Sequence, residues 1–196
     1  MQKIGITGSI GSGKSIVCKI FEQLDVPVYY ADDRAKILMN SNPEIIAKVK
    51  LLFGNESYTE TGELNRKHIS DIAFNNKDLL TQLNRIVHPI VFKDFDNWLL
   101  EKEQLKVKYI IKEAALMFET DSYKKLDKFI VVTAPMELRI SRTMQRDSIT
   151  KEQVLSRMNN QLSQDEKLAK ADYEIINDEQ TSLIEQVYNL HQQLNK

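Results

Sequence analysis

Five short apolar segments, rich in β-branched and aromatic residues, alternate with segments of helical spacing along the chain. They are residues 4–6, 26–30, 107–111, 129–132 and 173–176. Each ends at polar residues or proline, which is typical of buried strands. Strands that alternate with helices favour a parallel sheet. The pattern therefore predicts an α/β protein with a five-stranded parallel sheet.

The spacing of these segments is uneven. One short helix, residues 14–23, joins the first two strands, whereas more than seventy residues of helical character separate the second strand from the third. Within them, Asn42-Pro43 is typical of a helix start, with proline at the first helical position. Apolar residues recur at helical spacing on both sides of His88-Pro89, at Leu79, Leu80, Leu83, Ile86 and Val87 and at Ile90, Val91, Phe95, Trp98 and Leu99. We interpret residues 31–104 as a helical insertion, with His88-Pro89 as a possible turn between two helices.

A second, smaller insertion is predicted at residues 137–159. It carries Arg139, Arg142 and Arg146, whose spacing of three and four residues places them on one helix face. Thr150 and Gln153 form a capping-box pattern that begins the next helix. Ser182 and Glu185 repeat that pattern before the last helix, whose predicted buried stripe is Leu183, Ile184, Val187, Leu190 and Leu194. The sheet with the remaining helices then comprises residues 1–30, 105–136 and 160–196.

The strongest chemical signal is a glycine-rich loop between the first strand and the first helix. Residues 8–15 read GSIGSGKS and match the phosphate-binding pattern G-x-x-x-x-G-K-[ST]. Glycines let backbone N–H groups curl around phosphate oxygens, and the following helix adds the positive end of its dipole. Lys14 supplies a point charge for the outer phosphates, and the Ser15 hydroxyl is a candidate ligand for Mg²⁺. The alternative, a glycine turn that only joins strand to helix, does not require the Lys-Ser pair.

Polar residues also follow the other predicted strands, and in an open parallel sheet these ends share one edge where ligands bind. Asp32 follows the second strand and is a candidate to accept a proton from a hydroxyl group or to hold Mg²⁺ through water. Alternatively, Asp32 only caps the helix that follows. The arginine face likewise has two interpretations, a solvated surface or a lid that stabilises transferred charge on a triphosphate.

Composition excludes several other classes of function. The chain has 196 residues, a formal net charge of −1 and a single cysteine, Cys18. The charge gives no general affinity for nucleic acid or membranes, and no apolar run approaches the ~20 residues of a membrane span. One cysteine excludes an internal disulfide, and its place in a helical pattern favours burial. We expect a cytoplasmic protein that binds no nucleic acid or membrane. The oligomeric state has no clear signal in the sequence, and a monomer is favoured.

The motifs together resemble the dephospho-coenzyme A kinase family over nearly the full length of the chain. The matching segments are GITGSIGSGKS at residues 5–15, YYAD at 29–32, LNRIVHP at 83–89, ALMFE at 115–119 and RTMQRD at 142–147. The phosphate loop is shared by many families, but this order and spacing of the others is specific. The resemblance implies a three-layer P-loop kinase fold and transfer of a phosphoryl group from ATP, with Mg²⁺, to the ribose 3′-hydroxyl of dephospho-coenzyme A.

The resemblance also implies roles for residues. Catalysis is expected from Asp32 as base, with Lys14 and Arg142, and the metal ligand is Ser15. The expected ATP-binding residues are Gly8, Gly11, Ser12, Gly13, Lys14, Ser15, Ile16, Arg142, Arg146 and Asn177. Residues 31–104 would bind the acceptor through Asp32, Arg85 and His88, and residues 137–159 would be the lid. His88 has a structural alternative, and Arg66, Lys67, Arg85 and Lys93 are equal candidates for the acceptor's pyrophosphate.

The chain departs from the family pattern at three positions. Tyr30 stands where the family has the first Asp of D-A-D, Ala115 replaces a proline, and Ser9 replaces a frequent glycine. Two alternatives stay open: another small-molecule P-loop kinase, such as one for nucleoside monophosphates, and a regulatory P-loop module. The HP segment and the long insertion argue against the first. A third strand that ends at Lys112-Glu113, rather than at a magnesium-ordering Asp, argues against the second.

Overall fold

A computed structural model describes residues 1–73 and 76–196. The chain divides into two compact units, one formed by Met1–Tyr30 with Lys102–Lys196 and the other by Ala31–Glu101. Within the described ranges, none of the helices has the length and apolar character needed to cross a membrane.

The first unit contains a parallel sheet of five strands. The strands are β1 (Gln2–Thr7), β2 (Val28–Tyr30), β3 (Tyr109–Glu113), β4 (Lys128–Thr133) and β5 (Tyr173–Ile176), in the spatial order β2-β3-β1-β4-β5. This confirms the predicted α/β class. Four of the five strands differ from their predicted bounds by one or two residues. The second strand, β2, starts at Val28 because the Val26 N–H bonds to the Phe21 carbonyl at the end of the first helix. The third strand starts at Tyr109, after a positive φ of 54° at Lys106 redirects the chain.

The helices occupy most of the remaining chain. They are α1 (Lys14–Glu22), α2 (Ala31–Ser41), α3 (Pro43–Phe53), α4 (Arg66–Ala73), α5 (Lys77–Glu103), α6 (Met136–Asp147), α7 (Lys151–Met158), α8 (Gln164–Leu168) and α9 (Leu183–Leu194), with short 3₁₀ turns at Asn55–Ser57 and Asp121–Tyr123. Several predicted caps are confirmed. The Asn42 side chain accepts from two N–H groups of α3, with Pro43 as the first helical residue. Thr150 and Gln153 form the complete capping box of α7.

The core of the first unit lies between the sheet and the helices α1 and α9. Strand residues such as Ile4, Ile6 and Val132 pack there against Phe21 of α1 and Leu190 of α9. The predicted stripe of α9 is wrong at one position. Val187, Leu190 and Leu194 are buried and Leu183 packs against the core, but Ile184 is 70% exposed. Ile184 is exposed because it lies one residue after Leu183, which turns its side chain by about 100° around the helix.

The second unit consists of α2 to α5 around its own apolar core. Ile45, Val49 and Phe53 of α3 are buried against Val87 and Val91 of α5. The predicted turn at His88-Pro89 is wrong, because Pro89 lies inside one continuous helix. A proline in a helix interior costs ~3 kcal/mol and removes the bond to the carbonyl four residues earlier, here that of Arg85. Burial of Val87, Val91 and Phe95 on one face, before and after the proline, offsets this cost.

Candidate active site

The glycine-rich loop follows β1, the central strand of the sheet. It is flanked by the ends of β3 and β4, because Ile6 pairs with Glu113 and Thr7 with Val131. The loop closes on itself through a Ser12 N–H bond to the Ser9 carbonyl (3.1 Å) and leads into α1 at Lys14. The Lys14 ammonium donates to the Gly8 carbonyl oxygen at 3.1 Å, so it lies across the loop. This arrangement concentrates a cation, backbone N–H groups and a helix N-terminus at one point, which is suited to phosphate.

Two glycines of the loop are required by its geometry. Gly11 and Gly13 have φ values of 78° and 91°, a region that other residues rarely adopt. Neither position has space for a side chain. A Cβ on Gly11 would lie 2.7 Å from the Thr143 hydroxyl oxygen, and one on Gly13 would collide with the Asn177 side-chain nitrogen. The loop is therefore packed directly against α6 and against the residue that follows β5.

Asn177 and Arg142 form a bonded support for the loop. Asn177 is buried, and its amide nitrogen donates to the Ser12 carbonyl oxygen at 2.8 Å. The Arg142 guanidinium in turn donates to the Asn177 backbone carbonyl oxygen at 3.2 Å and to Glu179 at 2.9 Å. The structure thus brings two predicted nucleotide-site residues together with the loop, and it adds Glu179, which the sequence did not single out.

The three arginines of α6 have three different partners. Arg139 is half-buried, its Nε donates to the Ala134 carbonyl at 3.1 Å, and burial lowers its pKa. Arg146 turns instead to Asp147 at 2.7 Å, and Asp147 also pairs with Arg157 of α7 at 2.7 Å. These guanidinium groups hold the pKa of the Asp147 carboxyl below its usual range. The shared helix face is present, but only Arg142 of the three bonds to the residue that supports the loop.

The other predicted residues lie in the helical unit. Asp32 is exposed in the first turn of α2, where a carboxylate is favourable to the helix dipole. Arg85 is exposed on α5, and His88, one turn later, is half-buried with its ring 6.1 Å from that of Phe92. Bidentate bonds from Arg34 to Asp94, the longer of them 2.8 Å, hold α2 against α5. The helices that carry the three residues are therefore fixed to each other.

Comparisons with known proteins show the family to which the chain belongs. The family model described as dephospho-CoA kinase matches residues 2–182. The chain belongs to the dephospho-CoA kinase family. It is 43% identical over 170 residues to a dephospho-CoA kinase of Leptospira interrogans, covering 87% of this chain and 81% of the relative.

Solved structures agree with this assignment. A dephospho-CoA kinase from Campylobacter jejuni matches 100% of this chain and 98% of its own with a TM-score of 0.73 and 28% identity. A crystal structure from Thermus thermophilus gives a TM-score of 0.84 at 28% identity and covers 98% of this chain and 96% of its own. The fold is thus that of P-loop kinases, and the chain is a kinase.

At Tyr30, where the chain departs from the family pattern, the side chain is half-buried. Burial, together with nearby Cys18 and Glu22, raises the pKa of its hydroxyl far above the usual value. Tyr30 is therefore a neutral phenol at the end of β2 and is not a replacement carboxylate. Cys18 is fully buried, as predicted, and burial raises the pKa of its thiol.

Four residues near the phosphate loop were not identified as candidate site residues from the sequence. The Gln161 side chain accepts from the Ile10 N–H of the loop at 3.0 Å, and Gln164 accepts from the Ala134 N–H at 3.2 Å. Lys167 is fully buried and pairs with Glu119 at 3.1 Å. In the sequence, Lys167 lies in a charged stretch that is typical of solvated helix surface, so no local pattern distinguishes it. Glu119 was noted only as part of the ALMFE motif.

Proposed function

We propose that this member of the dephospho-CoA kinase family transfers the γ-phosphoryl group of ATP to the ribose 3′-hydroxyl of dephospho-coenzyme A, which yields coenzyme A and ADP. The observation that carries the donor half is the loop at residues 8–15, with Lys14 across it and Asn177 bonded beneath it. The family assignment supports the acceptor.

The donor phosphates would be bound by the loop backbone at Gly8, Gly11, Ser12 and Gly13, by Lys14 and Ser15, and at the start of α1 by Ile16. Ser15 is exposed in the first turn of α1 and offers a hard oxygen. Mg²⁺ is usually held by one or two protein oxygens together with substrate phosphates, and the Ser15 hydroxyl fits that requirement. When bound, the ion would neutralise charge on the transferring phosphoryl group. Asn177 would line the same site beside the nucleotide.

Charge that develops during transfer would be stabilised by Lys14 and Arg142. The Arg142 guanidinium is three-quarters buried, with a side-chain exposure of 24%, and it is oriented by Asn177 and Glu179. A pre-oriented cation costs no reorganisation during the reaction, which is the main way in which enzymes stabilise such charge. Arg146 is 63% exposed and held by Asp147, so we assign it the weaker role of contacting the triphosphate from the lid.

The helical unit would bind the acceptor. It contains a cavity of ≈ 370 Å³ that is lined by Met39, Leu64, Ile69, Leu80 and Leu83, with Lys36 and Arg66 beside them. Such a site fits a ligand with an apolar arm and an anionic group. This favours Arg66 among the basic residues considered for the acceptor's pyrophosphate. We assign Asp32 as the general base and Arg85 and His88 as acceptor contacts.

The activity is tested by supplying the protein with Mg-ATP and, separately, dephospho-coenzyme A, AMP, CMP or pantothenate, and following ADP. We expect turnover with dephospho-coenzyme A, and phosphate in the product at the ribose 3′ position. Turnover with a monophosphate but not with dephospho-coenzyme A would refute the proposal.

The base is tested by Asp32→Asn, with Asp33→Asn as the matched control. Asp33 is the next residue of the same helix turn and pairs with Lys36 at 2.7 Å. We expect Asp32→Asn to keep ATP binding but to lose ~10²-fold or more in kcat, because general-base catalysis contributes ~10²–10⁴-fold. Asp33→Asn should retain near-normal kcat. Equal activity of the two variants would remove Asp32 from the role of base.

A further inference from the structure

Lys167 is an unusual residue in the first unit, a lysine with no exposed surface. Lysine is almost never fully buried unless it is paired. Its ammonium lies 3.1 Å from Glu119 Oε1 and donates to the Ala115 carbonyl oxygen at 3.1 Å. Burial lowers the pKa of Lys167, Glu119 opposes that shift, and Lys14 and Arg139 add to it. The buried ammonium is therefore within electrostatic reach of Lys14, the cation of the phosphate loop.

The segment that carries Lys167 is bonded to the loop itself. We call residues 161–167 the anchor segment. At its start, the Gln161 side chain accepts from the Ile10 N–H of the loop at 3.0 Å. The next residue of the segment is Leu162, whose N–H donates to Glu119 Oε1 at 2.9 Å, the same oxygen that pairs with Lys167. Glu119 thus holds both ends of the anchor segment, and the anchor segment holds Ile10.

A second route connects Lys167 to the beginning of the loop. The Ala115 carbonyl that accepts from Lys167 also accepts from the Thr7 hydroxyl at 3.3 Å. Thr7 is fully buried and is the last residue of β1, immediately before Gly8. Lys167 is therefore linked to the loop on both sides of Ser9, through Ala115 and Thr7 on one side and through Glu119 and the anchor segment on the other.

These contacts point to a role in function rather than in stability. A buried ion pair is often no more stabilising than apolar residues of the same size, but its directional bonds fix the groups around it. We propose that Lys167 and Glu119 are positioning residues for the donor phosphates, which hold the loop in its binding conformation through Ala115, Thr7 and the anchor segment. This rests on the proposed assignment of the loop to the phosphates of ATP.

The experiment compares Lys167→Met with a variant that loses apolar packing elsewhere in the core of the same unit. Methionine keeps the length of the side chain without its charge. Val187→Ala is the control, because Val187 is fully buried in α9 and belongs to the core of the same unit. We expect Lys167→Met to lower kcat/KM for ATP ~10-fold or more, because the loop is no longer held in its binding conformation, with KM for dephospho-coenzyme A within about twofold of wild type. Val187→Ala should lower the melting temperature but leave kcat/KM for ATP unchanged.

Two milder variants test the path, and they carry the test if Lys167→Met does not fold. Glu119→Gln keeps an oxygen for the Leu162 N–H but removes the charge that pairs with Lys167. Gln161→Met removes only the bond to Ile10. Each is expected to lower kcat/KM for ATP more than kcat/KM for the acceptor, and Glu119→Gln should add little to Lys167→Met, because residues that act as a unit are not additive.

Several outcomes would overturn the inference. One is a Lys167→Met protein that melts earlier but handles ATP as wild type does. A second is a double variant, Glu119→Gln with Lys167→Met, whose loss in kcat/KM for ATP is the product of the two single losses. A third is a Gln161→Met protein with unchanged kcat/KM for ATP. An inactive wild-type enzyme would instead signal failure of the proposed function, so the two failures are distinguishable.

Discussion

The packing of Asn177 against Gly13 leads to a quantitative prediction for Gly13→Ala. Gly13 has φ 91° and ψ 22°, and a Cβ there would collide with the Asn177 side-chain nitrogen. That nitrogen donates to the Ser12 carbonyl oxygen at 2.8 Å in a buried position. Alanine therefore strains the backbone and also displaces the amide that satisfies a buried carbonyl.

The two effects have separate magnitudes. An L-residue in the left-handed region costs ~1–2 kcal/mol. Leaving a buried carbonyl without its donor costs ~1–3 kcal/mol. We therefore expect Gly13→Ala to lower the free energy of unfolding of the first unit by ~2–5 kcal/mol, because both costs apply.

Gly62, which lies in the second unit, provides a control for the backbone strain alone, measured on the unfolding of its own unit. Its φ is 82°, but a Cβ there would meet no atom within 4 Å. Gly62→Ala should therefore show only the strain, ~1–2 kcal/mol. Both variants also lose the same chain freedom in the unfolded state, so this contribution cancels in the comparison. Urea denaturation followed by circular dichroism measures both costs.

A double-mutant cycle with Asn177→Ala separates the two effects. In the Asn177→Ala background the bond to Ser12 is already absent, so Gly13→Ala should cost only the strain. The expected coupling energy is ~1–3 kcal/mol. The reasoning is refuted if Gly13→Ala costs no more than Gly62→Ala, or if its cost is unchanged in the Asn177→Ala background.

The remaining predictions concern the loop, the lid and the buried thiol. Lys14→Ala should lower the transfer rate ~10²-fold or more, because charge stabilisation is lost. The control is Lys19→Ala, which removes an exposed lysine from the last turn of the same helix and should not lower the rate. Equal rates for the two variants would contradict the role of Lys14. Arg142→Ala should mainly lower kcat in steady-state assays, and a rise in the KM for the acceptor alone would remove Arg142 from the donor side. Cys18 should react with iodoacetamide at pH 8 only after unfolding in urea, because burial raises its thiol pKa; labelling of the native protein would show that the thiol is accessible. Since the unfolded thiol ionises first, Cys18 contributes stability below the ordinary thiol pKa of ~8.5 and loses it as the pH rises further, which denaturation at pH 7 and pH 10 measures.

Local patterns in the sequence predicted most of the secondary structure and the donor loop. The strands, the Asn42 cap and the Thr150 capping box depend on residues within a few positions of each other. The motif at residues 8–15 is equally local. A short pattern of residue types is sufficient for such features, because the physical cause acts over one turn or one strand.

The helix bounds near Pro89 and the exposure of Ile184 depended on tertiary packing. The sequence placed a possible helix boundary at His88-Pro89, but burial of the same face of α5 on both sides of the proline keeps the helix continuous. Ile184 is apolar and lies in an apolar run, yet α9 rests on the sheet through its neighbours. Periodicity identifies an apolar stripe but does not say which of its edge residues the partner surface covers.

By itself, the sequence determined the α/β class, the phosphate loop and the family to which the chain belongs. Only the tertiary structure showed that Asn177 bonds to Ser12, 165 positions earlier, and that Glu119 pairs with Lys167 beside the loop. The physical reason is burial. Lysine and asparagine are usually exposed. Whether a particular one is buried, and what it bonds to, is decided by residues that the fold brings together from distant parts of the chain.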